Sequence, residues 1–182
     1  MTSREALLVE LVDEAGQAIG ECRVDEAHQQ PGRLHRAFSV LLFDAEGRLL
    51  LQQRSAAKTR FPLRWANTCC GHPAPGQPVT EAANDRLREE LGIGPLPLTE
   101  IGVYRYRAED PATGRVEVEY DHVLRGEFPA DEPLRPDPAE VAALRWVEIA
   151  QLQADVRERP EDYAPWLSGV TDTFLNTLSA DG

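Results

Sequence analysis

Short apolar runs separated by turn residues dominate the chain. Leu7 to Val12 and Ala37 to Phe43 are apolar and rich in β-formers, which predicts strands. Arg48 to Gln53 follows the turn Asp44-Ala-Glu-Gly47 and reads as a strand that pairs back as a hairpin. Glu100 to Arg107 and Arg115 to Leu124 flank the turn Asp110-Pro-Ala-Thr-Gly114 in the same manner. Leu144 to Ile149 reads as one more strand. Pro78 to Leu91 opens with a Pro and an acidic first turn and stops at Gly92, which predicts a helix with a glycine C-cap. Pro160 to Leu178 places Tyr163, Trp166, Leu167, Val170, Phe174 and Leu178 at helical spacing, and Ile149 to Arg159 reads as a third helix. Strands mixed with a few helices predict an α/β or α+β layered fold with a mixed sheet.

Charge narrows the function. Nineteen Lys+Arg against 31 Asp+Glu give a formal charge of −12 over 182 residues. That balance disfavours bulk binding to nucleic acid or anionic membrane, both held by cation–phosphate attraction. The length fits one domain. Apolar stretches such as Phe38 to Phe43 fall far below the ~18 residues that span a bilayer. The start, Met1-Thr-Ser-Arg-Glu, carries no apolar signal core, so a cytoplasmic protein is expected. Cys22, Cys69 and Cys70 are too few and odd in number for a disulfide framework and read as reduced thiols.

The acids are unevenly spread. Gly47 to Thr80 holds no Asp or Glu but carries Arg48, Arg54, Lys58, Arg60 and Arg64. This island is either a solvated positive face or a cradle for a small polyanion such as a diphosphate. Arg54 and Lys58 suit the second role, one as a planar fork and one as a point charge. At its edge stands Cys70-Gly71-His72, where thiol and imidazole are two residues apart and can face one pocket. Cys69 reads as a small buried hydrophobe. Cys70 has the better claim to chemistry, and the cationic run before it would favour the thiolate.

His28, His35 and His72 with two carboxylates would make a divalent-metal set. The seven-residue step from His28 to His35 fits a helix face or a loop-to-strand passage. In Arg115-Val-Glu-Val-Glu-Tyr120, alternation puts Val116, Val118 and Tyr120 on one strand face and Glu117 and Glu119 on the other. The acids form either a wet strand face or two ligands about 7 Å apart that converge on one ion. Facing a closed site, they need that ion or a proton. Farther on, Arg86-Leu-Arg-Glu-Glu-Leu-Gly-Ile93, with Gly71 ahead of it, partly matches the Nudix box at Gly71, Leu87, Glu89, Glu90, Gly92 and Ile93. Gln77, Asp85 and Arg86 depart from it, which weakens a hydrolytic reading and leaves a diphosphate-binding fold.

Taken together, Asn67-Thr-Cys-Cys-Gly-His-Pro73, Arg36-Ala-Phe-Ser39 after His35, Arg86 to Ile93, Tyr104-Arg-Tyr-Arg107, Val116-Glu-Val-Glu119 and Ala164-Pro-Trp166 resemble the type 1 isopentenyl-diphosphate isomerases, a divergent Nudix branch. The resemblance runs from about Leu7 to Leu178. It implies a single domain over residues 1–182, an α/β/α sandwich with a mixed sheet, an N-terminal extension and a Nudix-like core at about 33–168. It also implies interconversion of isopentenyl and dimethylallyl diphosphate, with hydrolysis of a nucleoside or other diphosphate as the alternative. Position by position, Cys70 matches the catalytic thiol and Glu119 the catalytic carboxylate, with Tyr106 hydrogen-bonded near it. His28, His35, His72, Glu117 and Glu119 match the ligands of a divalent ion, Mn²⁺ or Zn²⁺. Glu90 and the Cys70 carbonyl match a Mg²⁺ site on the substrate diphosphate. Arg54, Lys58 and Arg86 match diphosphate-binding residues, and Trp166 the aromatic facing the isoprenoid tail. Val24 stands where the family often has a Lys. A small diphosphate substrate, no nucleic acid or membrane partner, and a monomer or small homo-oligomer are expected.

Overall fold

The computed structural model describes residues 3–180. A 3-10 turn at Arg4–Ala6 leads into β1 (Leu8–Val12), which pairs antiparallel with β2 (Ala18–Arg23). A short helix α1 (Val24–Ala27) follows, then β3 (His35–Phe43), the strand on which the fold is built. β3 runs parallel to β8 (Val116–Glu127) over its whole length. Its other edge is shared by β1 at His35, by β6 (Cys69–Gly71) in the middle and by β4 (Leu49–Arg54) at Phe43. β4 in turn pairs with β5 (Trp65–Ala66) and β9 (Val141–Val147), and β7 (Thr99–Glu109) closes against β8 as the expected hairpin. Parallel and antiparallel pairs together make the expected mixed sheet.

Alternation along β3 decides what lies on each face. Phe38, Val40 and Leu42 point towards α2 (Val79–Leu91) and pack with its Ala83, Leu87 and Leu91. Leu41 and Phe43 point the other way, towards α3 (Ile149–Glu158) and α4 (Leu167–Ala180), and meet Leu152, Leu167, Val170 and Phe174. Helices on both faces give the three-layer sandwich. On the α4 face, the odd positions of β3 turn small or polar towards its start: Ser39, Ala37, His35. Helix α4 does not cover that end, and the candidate functional side chains gather there.

Two expectations need correction. The helix expected over Pro160 to Leu178 is broken. Pro160–Asp162 is one 3-10 turn, Tyr163 is extended and bridges Trp65, and α4 starts at Leu167. Pro165 accounts for the break, since it disfavours the helical conformation of Ala164 and supplies no N–H. Leu178 lies outside the buried stripe, 54 % exposed. The strand expected over Leu144 to Ile149 begins earlier, at Val141, and Ile149 already belongs to α3. No described helix is long and apolar enough to cross a membrane.

Candidate active site

Strand register brings the histidines and glutamates together. His35 lies opposite Glu119 on the parallel β8, and Glu117 follows the same face one alternation earlier. β6 runs antiparallel to β3, with Cys70 opposite Ser39, so His72 emerges just past Gly71 on the Cys70 side. His28 caps α1. The candidate ligand atoms of His28, His35, His72, Glu117 and Glu119 all lie within 4.8 Å of one another. The three imidazole centroids stand 4.7 to 5.1 Å apart. The glutamate face of β8 is therefore buried, Glu117 3 % and Glu119 7 % exposed, and is not a wet strand face.

The cluster fits a divalent cation. His28 Nδ1 lies 2.6 Å from the Val24 carbonyl and His35 Nδ1 2.7 Å from the Arg33 carbonyl. A carbonyl oxygen only accepts, so both Nδ1 atoms carry hydrogen and both Nε2 lone pairs face inward. His35 Nε2 is buried with no hydrogen-bond partner among the described residues. His28 Nε2 stands 2.8 Å from Glu117 Oε2, a contact of two acceptors unless a proton or cation lies between them. Burial and the adjacent His28 push His35 down to about 4, and burial with His35 and His28 holds His72 low as well. Burial and the Glu117 charge push Glu119 up. Burial would raise Glu117 too, but His28 and Arg60 outweigh it and hold its carboxyl low. Arg60 donates from Nε to Glu117 Oε1 at 3.0 Å. Imidazoles beside carboxylates suit a transition-type divalent ion.

One cavity of about 720 Å³ is lined by His72, Glu117, Glu119, Tyr106, Cys70 and Trp166, among others. Tyr106 lies opposite Glu119 on β7 and donates from its hydroxyl to Glu119 Oε1 at 2.9 Å. Its ring lies 6.0 Å from that of Trp166. The Cys70 sulfur faces Asn67 Oδ1 at 3.2 Å and Ser39 Oγ at 3.7 Å. Its protonation differs from the thiolate expected. Burial and Asp121 push the thiol up to about 12 against the pull of Arg54, so it stays protonated at neutral pH. Cys69, one residue earlier, points to the opposite face and packs with Phe38 and Leu87.

The cationic island divides. Arg54, Lys58 and Arg60 line the cavity. Arg48 instead pairs with Asp44, and Arg64 reaches the Tyr163 carbonyl. Arg54 lies 5.4 Å over the Trp166 ring and bonds the carbonyls of Arg60 and Phe61. Arg86 lines the cavity and pairs with Glu89, Glu90 and Glu140. Glu90 lies beneath it, 2 % exposed, accepting from Gln52 Nε2 at 2.8 Å with Lys58 Nζ at 3.6 Å. Glu90 itself is outside the cavity lining, whereas Glu89 and Glu140 are in it. Val24 lines the same cavity, and Arg23 is turned away onto Asp25.

Residues 33–167 match the family model described as NUDIX domain. An isopentenyl-diphosphate Delta-isomerase of Nocardia farcinica is 64% identical over 164 residues, covering 90% of this chain and 92% of its own. One of Streptomyces coelicolor is 51% identical over 168 residues, covering 92% of this chain and 83% of its own. This chain belongs to the isopentenyl-diphosphate Delta-isomerases of the NUDIX family. Solved structures agree on the fold. The Deinococcus radiodurans protein DR0079 superposes with a TM-score of 0.72 at 20% identity, covering 92% of this chain and 99% of its own. A MutT protein of Methanosarcina mazei does so with a TM-score of 0.62 at 16% identity, covering 79% and 94%.

Several contacts around the site of this isomerase-family member were not expected from sequence. Arg60 neutralises Glu117, Glu140 joins Lys58 to Arg86, and Arg4 reaches Glu89 and Glu140 from the N-terminal turn. Asp121 continues the Glu117–Glu119 alternation and is buried against Ser39 Oγ at 2.7 Å. Burial pushes it up to about 8, with the Ser39 hydrogen bond opposing and the Glu117 charge reinforcing the rise.

Proposed function

We infer that this chain interconverts isopentenyl and dimethylallyl diphosphate by adding a proton at one carbon and removing one at another. The tertiary cation implied between those steps is captured by water unless the site is dry and lined by aromatic rings. The observation that carries the reading is one cavity that combines a protonated thiol, a carboxyl with its own tyrosine and an indole face, beside a cluster of cations. Cys70 and Glu119 serve as the proton-exchanging pair, their roles reversing with the direction of reaction. Tyr106 holds the Glu119 carboxyl by its hydrogen bond. The Trp166 face stabilises the cation by ~2 kcal/mol once water is excluded. Arg54, Lys58 and Arg86 hold the diphosphate.

His28, His35, His72, Glu117 and Glu119 would hold Mn²⁺ or Zn²⁺, since three imidazoles disfavour Mg²⁺. That ion, when bound, fixes the orientation of Glu119 and tunes its proton affinity. Glu90 and the Cys70 carbonyl would hold Mg²⁺, which would supply charge to offset carboxylate–phosphate repulsion, ~4 kcal/mol per charge pair at 4 Å for a dielectric near 20. Arg86, which pairs with Glu90, would have to move aside for Glu90 to take that role. Hydrolysis is less well supported, because Arg86 neutralises the box glutamates that a hydrolase would use for its ions.

The test is a pair of single substitutions assayed with isopentenyl diphosphate. Cys70→Ala is expected to abolish isomerisation while binding of the divalent ion, measured by calorimetry, survives. Cys69→Ala is expected to be near neutral for turnover. Full activity in Cys70→Ala, or an equal loss in Cys69→Ala, would contradict the assignment.

A further inference from the structure

Asn67 has no part in the roles assigned so far. It sits on the connection between β5 and β6, fully buried, and is outside the cavity lining. Its Nδ2 donates to the Val40 carbonyl at 3.2 Å and to the Cys69 carbonyl at 2.9 Å. Both amide hydrogens are thereby used, and a flipped carboxamide would set oxygen against two carbonyl oxygens. The orientation of Oδ1 is therefore fixed. That one oxygen accepts from the Cys70 thiol at 3.2 Å and from Trp166 Nε1 at 3.1 Å. An sp² oxygen has two lone-pair directions, and here each is taken by a different side chain of the site.

We propose that Asn67 is a positioning residue whose single carboxamide oxygen ties the Cys70 sulfur to the Trp166 indole. The proton-exchanging atom and the aromatic wall are then held relative to one another through that shared acceptor. Main-chain carbonyls of β3 and β6 anchor the amide, so its position follows the sheet and not the cavity contents. Its effect on turnover rests on the isomerase reading, whereas the shared contact does not.

The experiment uses the full, metal-loaded chain. The Trp166 indole ¹H–¹⁵N signal is assigned by its loss in Trp166→Phe. In Cys70→Ala the indole becomes the sole donor to Oδ1, so its signal is expected to move downfield by more than those of Trp65 and Trp146. Cys70→Ser, which retains a donor, is expected to return it towards the wild-type position. An unmoved indole signal in Cys70→Ala would overturn the shared contact whether or not the protein isomerises anything. In turnover, Asn67→Ala is expected to lower kcat about tenfold or more with KM within about threefold, the loss equivalent to one hydrogen bond to each partner. Thr68→Val provides the structural control. The Thr68 hydroxyl bonds only main-chain atoms, the Leu50 carbonyl and the Leu42 N–H, and its loss is expected to lower stability while leaving kcat intact. Wild-type kcat in Asn67→Ala, or a loss no larger than in Thr68→Val, would also overturn the proposal. Should Asn67→Ala not fold, the indole measurement decides alone.

Discussion

At the scale of single residues, Asp110 links stability to the shape of the cavity. Its carboxylate accepts from Thr113 Oγ1, the Phe61 N–H and the Ala112 N–H at 2.7, 2.8 and 3.0 Å. The bond from its N–H ties Phe61 to Asp110; Phe61 is left-handed, φ 48°, with its ring edge-on to Trp166 at 5.5 Å. Burial would raise this carboxyl, but the three hydrogen bonds outweigh it and keep it below its ordinary 3.8. A depressed folded-state value means the unfolded chain takes up its proton first. The stabilisation is therefore full above about pH 4 and is lost as pH falls through the folded-state value. Asp110→Asn is expected to cost ~1.5–3 kcal/mol at pH 7 and progressively less towards about pH 3, read from urea unfolding at the two pH values. A pH-independent cost would contradict the role. Other residues differ in how far the sequence reveals them. Alternation alone separates Cys69 from Cys70, and the same alternation runs from Glu117 through Glu119 to Asp121, so Asp121 is legible from the pattern. Arg60 and Glu140 are not, because their partners lie 57 and 54 or more residues away and depend on how loops fold back.

Among the elements, β6 carries the site although it is only three residues long. It sets Cys70 and His72 on one face, and Gly71 between them faces α2. A Cβ at Gly71 would come within 2.7 Å of Phe38 Cζ and 3.2 Å of Arg86 Cγ. Phe38 is buried in the core and cannot yield cheaply. Gly71→Ala is expected to cost ~1–3 kcal/mol and to displace Cys70 enough to lower kcat more than about tenfold. Gly94→Ala, whose Cβ would meet nothing within 4 Å, is the control and is expected to be silent. Calorimetry and steady-state assays read both, and equal behaviour of the two variants would contradict the packing argument. The strands with apolar alternation, the β7–β8 hairpin and α2 with its Gly92 cap are legible from period and punctuation. β2 is not, since Ala18 to Glu21 is exposed and carries a Gly, so no apolar face marks it. β5 and β6 are too short to show a period. At α4, the apolar stripe continues through Pro165, but a period does not reveal where the backbone stops being helical.

For the molecule as a whole, a chain of −12 brings Arg4, Arg54, Lys58, Arg60 and Arg86 to one cavity. The acids that would oppose an anionic substrate there are already paired. Glu140 meets Lys58 and Arg86, Glu90 meets Arg86, and Glu117 meets Arg60. The three-layer architecture positions this arrangement. The sheet separates the α2 side, which carries Glu90 and Cys69, from the α4 side, which carries Cys70, Glu119 and Trp166. The proposed reading therefore puts the diphosphate at the sheet edge where Arg86 and Lys58 meet the cavity, and the hydrocarbon on the α4 side. The most direct test is incubation of the protein with isopentenyl diphosphate, Mg²⁺ and Mn²⁺ or Zn²⁺ in heavy water, followed by NMR and mass spectrometry. Dimethylallyl diphosphate carrying solvent deuterium is expected, with the diphosphate intact. Release of phosphate or pyrophosphate without any isomer would contradict it.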